Sequence, residues 1–366
     1  MKPDQLSRSI LRTLALGSVA LLTLSLAAPA RGSTPQTRFN RVDLVSDQVG
    51  KAPLVDPDLV DAWGLSMGPA GPLWVTNNGT HTSTLYAGGI DGATPTKPAL
   101  VVTIPGSAAI GQVFNDTTGF VVSTPDGKSG PARFLFAGEG GDITGWSPAT
   151  STPTAAILAA HVDGAVYRGL AILHAGAHAF LLAPDFHNKR VDVFAEDFSR
   201  VPVLSRAFSD PRLPSDYAPF NVTVAGGDVY VAYAKQSSNG VDEQAGRGLG
   251  FVDRFPGDGG PMQRIASRGT LNAPWGLAIA PASFGDFAGA VLVGNFGDGR
   301  IGAYRGGHFL GLLRDNMGKP IVIDGLWALL PGTATTGGTG SLWFSAGPDG
   351  EAHGLVGEIL PATTTP

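Results

Sequence analysis

The chain has 366 residues, of which 43% are hydrophobic, 15% are charged and none is cysteine. A formal net charge of −5 argues against nucleic acid as a partner, because nucleic-acid-binding proteins present a basic surface. Without cysteine, a large apolar core rather than disulfides must stabilise the fold.

The first 30 residues predict a secretory signal peptide. Lys2, Arg8 and Arg12 give a positive start, residues 14–28 form an apolar run, and cleavage is expected after about Ala30. An uncleaved membrane anchor is the alternative, although the run is shorter than the ~20 residues that span a bilayer. Cleavage would leave a secreted or periplasmic protein with no membrane span. It would remove three cations and one anion, so the net charge would change from −5 to −7.

Beyond a flexible stretch at 31–37, the chain repeats a unit of four short strands. Its 52 glycines and 28 prolines stand between these hydrophobic groups, as is typical of turns. A period near fifty with four strands per repeat predicts an all-β, six-bladed β-propeller with four-stranded blades. We expect one domain over residues 38–360 and a flexible C-terminus at 361–366. The first strands are expected near Gly64, Gly119, Gly169, Asn221, Gly276 and Leu326, which are 50 to 55 residues apart.

The second, third and sixth repeats carry specific strand predictions. The first strand of the second repeat is predicted at 119–123, and the fourth strand of the third repeat near 201–208. The sixth repeat has only three strands, whereas residues 38–45 alternate with period two ahead of the first repeat. We therefore predict that 38–45 is the outer strand of the last blade and closes the ring.

Two matches to catalytic motifs do not fit their structural context. Residues 64–68 match G-x-S-x-G, but they are predicted inside a strand rather than at a strand-to-helix turn. Residues 297–302 match G-x-G-x-x-G, but Asp-Gly there favours a hairpin rather than the start of a helix. Neither match indicates a serine hydrolase or a dinucleotide-binding protein.

Loops before the first strands and loops between the second and third strands meet around the axis at one face of a propeller. In this chain those loops carry polar residues that could bind a polar ligand or a hard cation. Tight turns also favour Asn, Asp and Gly, which is the alternative explanation. The candidate binding residues are Asn77, Asn78, Asp142, Arg168, Asp185, His187, Asn221, Asn295, Asp298, Asp349, Glu351 and His353. An axial plug of Trp63, Phe220 and Trp275 is expected beneath them.

Six short segments carry a resemblance to a known family. They are YRGLA at 167–171, PFNV at 219–222, APWGL at 273–277, VGNFGDG at 293–299, DGLWAL at 324–329 and AGP at 346–348. They resemble an uncharacterised family of secreted bacterial proteins with NHL-like six-bladed propellers, some of which carry a PEP-CTERM sorting tail. This chain ends in ATTTP without such a tail, so the resemblance implies a free secreted or periplasmic protein and no known activity.

A more distant similarity is to six-bladed lactonases of the gluconolactonase type. In that family Glu, Asn and Asp at the starts of first strands hold a divalent metal on the axis. The equivalent positions here are Trp63, Thr118, Arg168, Phe220, Trp275 and Asp324. Only Asp324 could ligate a cation, so the chain departs from the pattern that activates water on a metal.

Three hypotheses follow for a protein expected to be monomeric. The first is a ligand- or protein-binding module that uses the axial loop face, with an unknown small molecule or protein as its partner. The second is a metal-dependent hydrolase or lactonase that holds a divalent cation such as calcium through Asp185, Asp298, Asp349 and Glu351. The third is a structural envelope protein that pairs with another protein across a flat face.

Overall fold

The computed structural model describes residues 37–362, so the predicted signal peptide lies outside the described residues. Six sheets, antiparallel except for the short edge strand of the last one, form the blades of a six-bladed β-propeller, which confirms the predicted fold. Second strands are buried on both faces, as in Leu73–Asn77, because neighbouring blades cover them. Among the described residues, no helix has the length and hydropathy needed to span a bilayer.

In each blade the strands succeed one another from the axis to the outer edge. Blade 1 contains Ala62–Met67, Leu73–Asn77, Thr82–Tyr86 and Val102–Thr103. Blade 2 contains Ala109–Phe114, Phe134–Gly138, Asp142–Trp146 and Ile157–His161. Blade 3 contains Ala171–Ala175, His178–Asp185 and Arg190–Phe194. Blade 4 contains Tyr217–Ala225, Asp228–Lys235, Phe251–Phe255 and Gln263–Ser267.

Blade 5 contains Pro274–Ile279, Val291–Asn295, Ile301–Arg305 and His308–Leu312. Blade 6 contains Leu326–Pro331, Leu342–Ala346, Leu355–Pro361, Phe39–Ser46 and the short edge strand Leu54–Val55. Between residues 37 and 362 the helical elements are one α-helical turn, Pro202–Ser205, and the 3₁₀ turns Ile90–Gly92, Arg206–Phe208 and Gly285–Phe287.

The first strand of blade 2 differs from the prediction. The inner strand is Ala109–Phe114, whereas the predicted segment 119–123 contributes Val121–Ser123 to a separate hairpin with Ser129–Pro131. Gln112 interrupts the apolar pattern of the true inner strand and so conceals it in the sequence. The side chain of Gln112 is buried, and its amide donates to the Trp74 carbonyl at 2.8 Å.

Blade 3 has no fourth strand at 201–208. Val201 donates to the Val193 carbonyl at 2.7 Å, and the chain then turns into the helix Pro202–Ser205. Pro202 has no N–H to continue a ladder, but its fixed φ suits the first position of a helix. Leu204 and Phe208 pack against the core between blades 3 and 4, so after this one contact the segment covers the sheet edge without forming a strand.

The ring closes as predicted. Phe39–Ser46 pairs antiparallel with Leu355–Pro361, from Phe39 opposite Pro361 to Ser46 opposite Leu355. Phe39 is fully buried, and its ring lies 4.8 Å from that of Phe284 in blade 5. The two ends of the described chain are thus joined in one sheet, which leaves no gap between blades 6 and 1.

Glycines bring the inner strands together at one level of the axis. A Cβ at Gly64 would lie 2.6 Å from the Ile110 carbonyl oxygen, and one at Gly111 would lie 2.3 Å from the carbonyl carbon of Gly169. No side chain fits at such distances, so glycine is required there. Beyond this level the inner strands diverge and leave a cavity along the axis.

Candidate functional site

A cluster of aromatic rings closes the axis on the side of the polar loops. The predicted plug residues Trp63, Phe220 and Trp275 are all buried and belong to one core cluster. Trp327 stands at its centre, with ring centroids 3.3 Å from Trp63 and 4.0 Å from Phe296 in stacked geometry. We call these five residues the axial aromatic cluster.

Arg168 lies directly beside this cluster, just before the inner strand of blade 3. Its side chain is buried, and its guanidinium carbon lies 5.8 Å from the centroid of the Trp63 ring. Nη1 lies 2.5 Å from Oε1 of Glu139, and Nη2 donates to the Val241 carbonyl at 3.0 Å. Asp242 is a more distant partner, with its Oδ1 3.5 Å from Nη2. Loops of blades 2, 3 and 4 therefore meet at one arginine.

Asp61 is a second buried charged group beside Trp63 and Trp327 of the cluster. It is 6% exposed, and its Oδ1 has no hydrogen-bond partner among the described residues. Burial raises the pKa of Asp61 to about 8, and repulsion from Glu351 adds to the shift. The indole N–H groups of Trp63 and Trp327 oppose this rise in pKa, yet neither makes a hydrogen bond of ordinary geometry.

Glu351 and Glu243 complete the acidic surroundings. Burial raises the pKa of Glu351 to about 7, with a further rise from Glu243 and an opposing effect of Arg168. Burial also raises the pKa of Glu243 above its usual range. Both groups therefore titrate closer to neutral pH than an exposed glutamate does.

The backbone holds Asp61 and Glu351 in an uncommon conformation. Their φ angles are 51° and 71°, in the left-handed region that residues other than glycine seldom adopt. A Cβ at Gly347 would lie 2.3 Å from Oδ1 of Asp61 and 3.3 Å from Cγ of Glu351. The two carboxyl side chains therefore border the same small space, which only glycine leaves open.

Together these groups form what we call the axial acidic site. Its members are Asp61, Glu139, Arg168, Asp242, Glu243 and Glu351. Among residues 37–362, Arg168 is the one cation that forms an ion pair with any of the five carboxylates, and it pairs with Glu139 and Asp242. The site therefore contains more negative than positive charge once its carboxyls ionise.

Two of the twelve predicted binding residues, Arg168 and Glu351, lie in this site. The predicted aspartates of the loops mostly stabilise turns instead. Asp142 contacts Nδ1 of His161 at 2.7 Å, Asp185 accepts the Val166 N–H at 3.1 Å, and Asp298 accepts from the Asn295 amide at 3.2 Å. Asp349 is exposed, and its own N–H donates to Oδ2 of Asp324 at 2.9 Å.

The predicted asparagines and histidines also bond locally. The side-chain amides of Asn77, Asn221 and Asn295 donate to Thr84, to the Trp275 carbonyl and to the Thr270 carbonyl, respectively. Asn78 donates its backbone N–H to the Asp61 carbonyl at 2.9 Å, and so helps to hold that residue. His187 contacts the Gly240 carbonyl at 3.1 Å, and His353 contacts Asp47 at 2.7 Å.

The carboxylates of the metal hypothesis stand in three separate blades. Asp185 belongs to blade 3 and Asp298 to blade 5, whereas Asp349 and Glu351 belong to blade 6. Within the described part of the chain, no three His, Asp or Glu side chains are arranged to hold a metal ion. Thr118, expected at the start of a first strand, instead precedes the hairpin of blade 2, because the inner strand there is Ala109–Phe114.

Sequence reasoning missed Asp61 and gave no role to Glu139, Asp242 or Glu243 beyond their place in polar loops. One signal could have found Asp61. A polar residue stands two or three positions before each axial tryptophan, namely Asp61 before Trp63, Asn272 before Trp275 and Asp324 before Trp327. This spacing puts the polar side chain beside the start of an inner strand.

The fold and the site define a six-bladed β-propeller with an acidic site on its axis. The chain is 33% identical over 331 residues to an uncharacterised protein of Acanthamoeba polyphaga mimivirus, covering 87% of this chain and 84% of that protein. A second uncharacterised mimivirus protein is 33% identical over 331 residues, covering 86% of this chain and 78% of its own. The chain therefore belongs to the family of these proteins. Both relatives are viral, whereas the sequence resemblance suggested a bacterial family.

No protein-family model matches the chain. Among solved structures, an α-L-arabinanase of Penicillium chrysogenum complexed with arabinobiose has a TM-score of 0.50 and 13% identity, covering 89% of this chain and 99% of that one. Virginiamycin B lyase from Staphylococcus aureus has a TM-score of 0.43 and 9% identity, covering 89% and 99%. At 13% identity the likeness to the arabinanase bears on the fold alone.

Proposed function

We propose that the protein is a binding module whose axial acidic site takes a cationic group of its ligand, such as an ammonium or a guanidinium. The observation that carries this proposal is an imbalance of charge. Asp61, Glu243 and Glu351 have no ion-pair partner among the described residues, while Arg168 is already engaged with Glu139 and Asp242. A bound cation would neutralise the carboxylates that the fold leaves uncompensated.

The depth of the site supports binding rather than simple surface attraction. Asp61 and Arg168 are buried, whereas Glu139 and Asp242 have 34% and 62% of their side chains exposed. Charge near a low-dielectric floor of aromatic rings interacts more strongly than charge in open solvent. The unpaired Oδ1 of Asp61 offers a buried acceptor to the cation.

Binding of a cation should strengthen as the pH rises. Asp61 and Glu351 have pKa values of about 8 and about 7, so both are mostly protonated at pH 6 and mostly ionised at pH 9. We expect the affinity for spermidine at low ionic strength to rise about tenfold across this range, with release of protons on binding. Isothermal titration calorimetry in two buffers of different ionisation enthalpy measures both quantities.

A matched pair of substitutions locates the binding. Asp61→Asn should weaken spermidine binding about tenfold, the loss expected for one charged contact. Asp258→Asn changes an aspartate in an exposed turn after the third strand of blade 4, and it should leave the affinity unchanged. An affinity that is independent of pH, or equal in the two variants, would disprove the proposal.

We also propose that the protein acts outside the cytoplasm. The support is the pattern of residues 1–30, with its positive start, apolar run and small residues before the expected cleavage point. Expression of the full chain in a bacterial host should yield a mature form that lacks about 30 N-terminal residues. The intact mass of the purified protein decides this, and retention of Met1 in the exported material would contradict it.

A further inference from the structure

The axis holds a second feature, an open cavity on the side away from the axial acidic site. Its volume is about 450 Å³, and residues of all six inner strands line it. Trp275 separates the two sites, because it lines the cavity while its Nε1–H donates to the Arg168 carbonyl at 2.8 Å. The cavity is thus closed at the aromatic end and open at the other.

The shape of the cavity follows from the inner strands. They nearly touch at Gly64, Gly111 and Gly169, and they diverge toward their C-terminal ends. The lining of blade 1 runs from Gly64 to Met67, which at ~3.3 Å per residue gives a depth of about 10 Å. A short, widening space of this kind suits a compact ring system better than an extended chain.

The chemistry of the lining is mainly aliphatic. Met67, Val113, Ile172, Ile279 and Leu330 are half-buried side chains around the cavity. Each inner strand is hydrogen-bonded to a neighbour on one edge only, so its other backbone edge faces the axis. Ligand-binding cavities are typically about 300–1,000 Å³ in volume, mostly apolar and supplied with a few polar groups, and this cavity has those properties.

Polar side chains stand at the mouth. His174 of blade 3 and Asp116 of blade 2 form a pair there, with Nε2 and Oδ1 3.1 Å apart and both side chains about half exposed. Asp116 belongs to the long connection that carries the extra hairpin of blade 2. The pair offers both a hydrogen-bond donor and an acceptor to a molecule that fills the cavity.

We propose that this cavity binds a small molecule with a compact apolar ring body and one hydrogen-bonding group. The body contacts the aliphatic lining, and the polar group reaches Asp116 or His174 at the mouth. This site is separate from the axial acidic site and does not depend on the function proposed for it.

The probe for this proposal is N-phenyl-1-naphthylamine, a neutral amine that carries a naphthyl and a phenyl group and whose fluorescence increases in apolar surroundings. The full-length protein should bind it saturably with one site per chain. Val113→Phe fills the cavity and should weaken binding at least about tenfold. Val121→Phe makes the same change at an exposed position of the hairpin and should leave binding unchanged.

Thr223→Phe provides a second test if Val113→Phe lowers stability, because Thr223 is a half-buried lining residue of blade 4. It should weaken binding in the same way, and Asp116→Asn should weaken it about threefold by removing the charged acceptor. Absence of saturable binding shows that the cavity holds only water and overturns the proposal. Equal binding by Val113→Phe, Thr223→Phe and Val121→Phe also overturns it.

Discussion

Arg168→Met should destabilise the protein by about 3 kcal/mol at pH 8. The substitution keeps an apolar stem beside Trp63 but removes the cation that pairs with Glu139 and Asp242. Removal of one partner from a buried ion pair leaves an uncompensated charge, and such losses are about 3–5 kcal/mol. We take the lower value because Glu139 and Asp242 are partly exposed and can turn toward water.

The destabilisation should shrink as the pH falls to 5. Asp61 and Glu351 have pKa values raised above those of the unfolded chain. Both carboxylates therefore take up protons in the folded state as the pH falls from 8 to 5, and the site loses negative charge. With fewer ionised carboxylates, the absence of the arginine costs less. Urea unfolding followed by tryptophan fluorescence at pH 5 and pH 8 measures the free energy of unfolding of each variant.

Arg300→Met is the control for this prediction. Arg300 is half exposed, and its guanidinium lies 3.6 Å from Asp298, so its loss should change the free energy of unfolding by less than about 1 kcal/mol. If Arg168→Met matches this control, or if its effect is the same at both pH values, the carboxylates around Arg168 do not act as a coupled group.

The repeat period was enough to predict the propeller and its closure. Six units of similar length each bury a sheet face only against a neighbour, so a ring is the arrangement that buries all of them. The sixth repeat lacked one strand, and residues 38–45 formed a strand outside the repeats. The prediction that 38–45 completes the last blade accounts for both observations, and the pairing of Phe39–Ser46 with Leu355–Pro361 confirms it. These features depend on patterns that extend over many residues, so local irregularities do not hide them.

Local irregularities concealed the inner strand of blade 2, the helical segment that replaces a fourth strand in blade 3, and most of the axial acidic site. Gln112 makes the inner strand of blade 2 look polar, although its buried amide donates to the Trp74 carbonyl and accepts from Ser83, both in blade 1. Asp61, Glu139 and Glu243 come from blades 1, 2 and 4, and their meeting around Arg168 depends on the angle between loops. No spacing within one loop encodes that angle. Arg168 was found because it precedes a recognisable first strand, and Glu351 because it lies in a polar loop between a second and a third strand.

A disulfide across the seam of the ring should raise the stability of the protein by up to about 5 kcal/mol. Asn40 and Leu360 are register partners in the closing sheet, and antiparallel partners have Cα separations of about 4.5–5.5 Å, within the range that a disulfide bridges. The bridge in Asn40→Cys/Leu360→Cys would enclose nearly the whole described chain, and the entropy removed from the unfolded state grows with loop length. The chain has no other cysteine, so the introduced pair has no competing partner.

The matched comparison is a local bridge, Arg305→Cys/His308→Cys, between register partners at the end of one hairpin in blade 5. Its loop contains only a few residues, so the same argument gives about 2 kcal/mol. Urea unfolding of both variants, with and without dithiothreitol, compares the two gains directly, and reduction should abolish each. The seam is where the first and last strands hold the ring together through hydrogen bonds and packing alone. A seam disulfide that raises the free energy of unfolding no more than the local disulfide would contradict the prediction. It would mean that the two ends of the chain stay associated in the unfolded ensemble, so that opening of the ring does not limit the stability of the propeller.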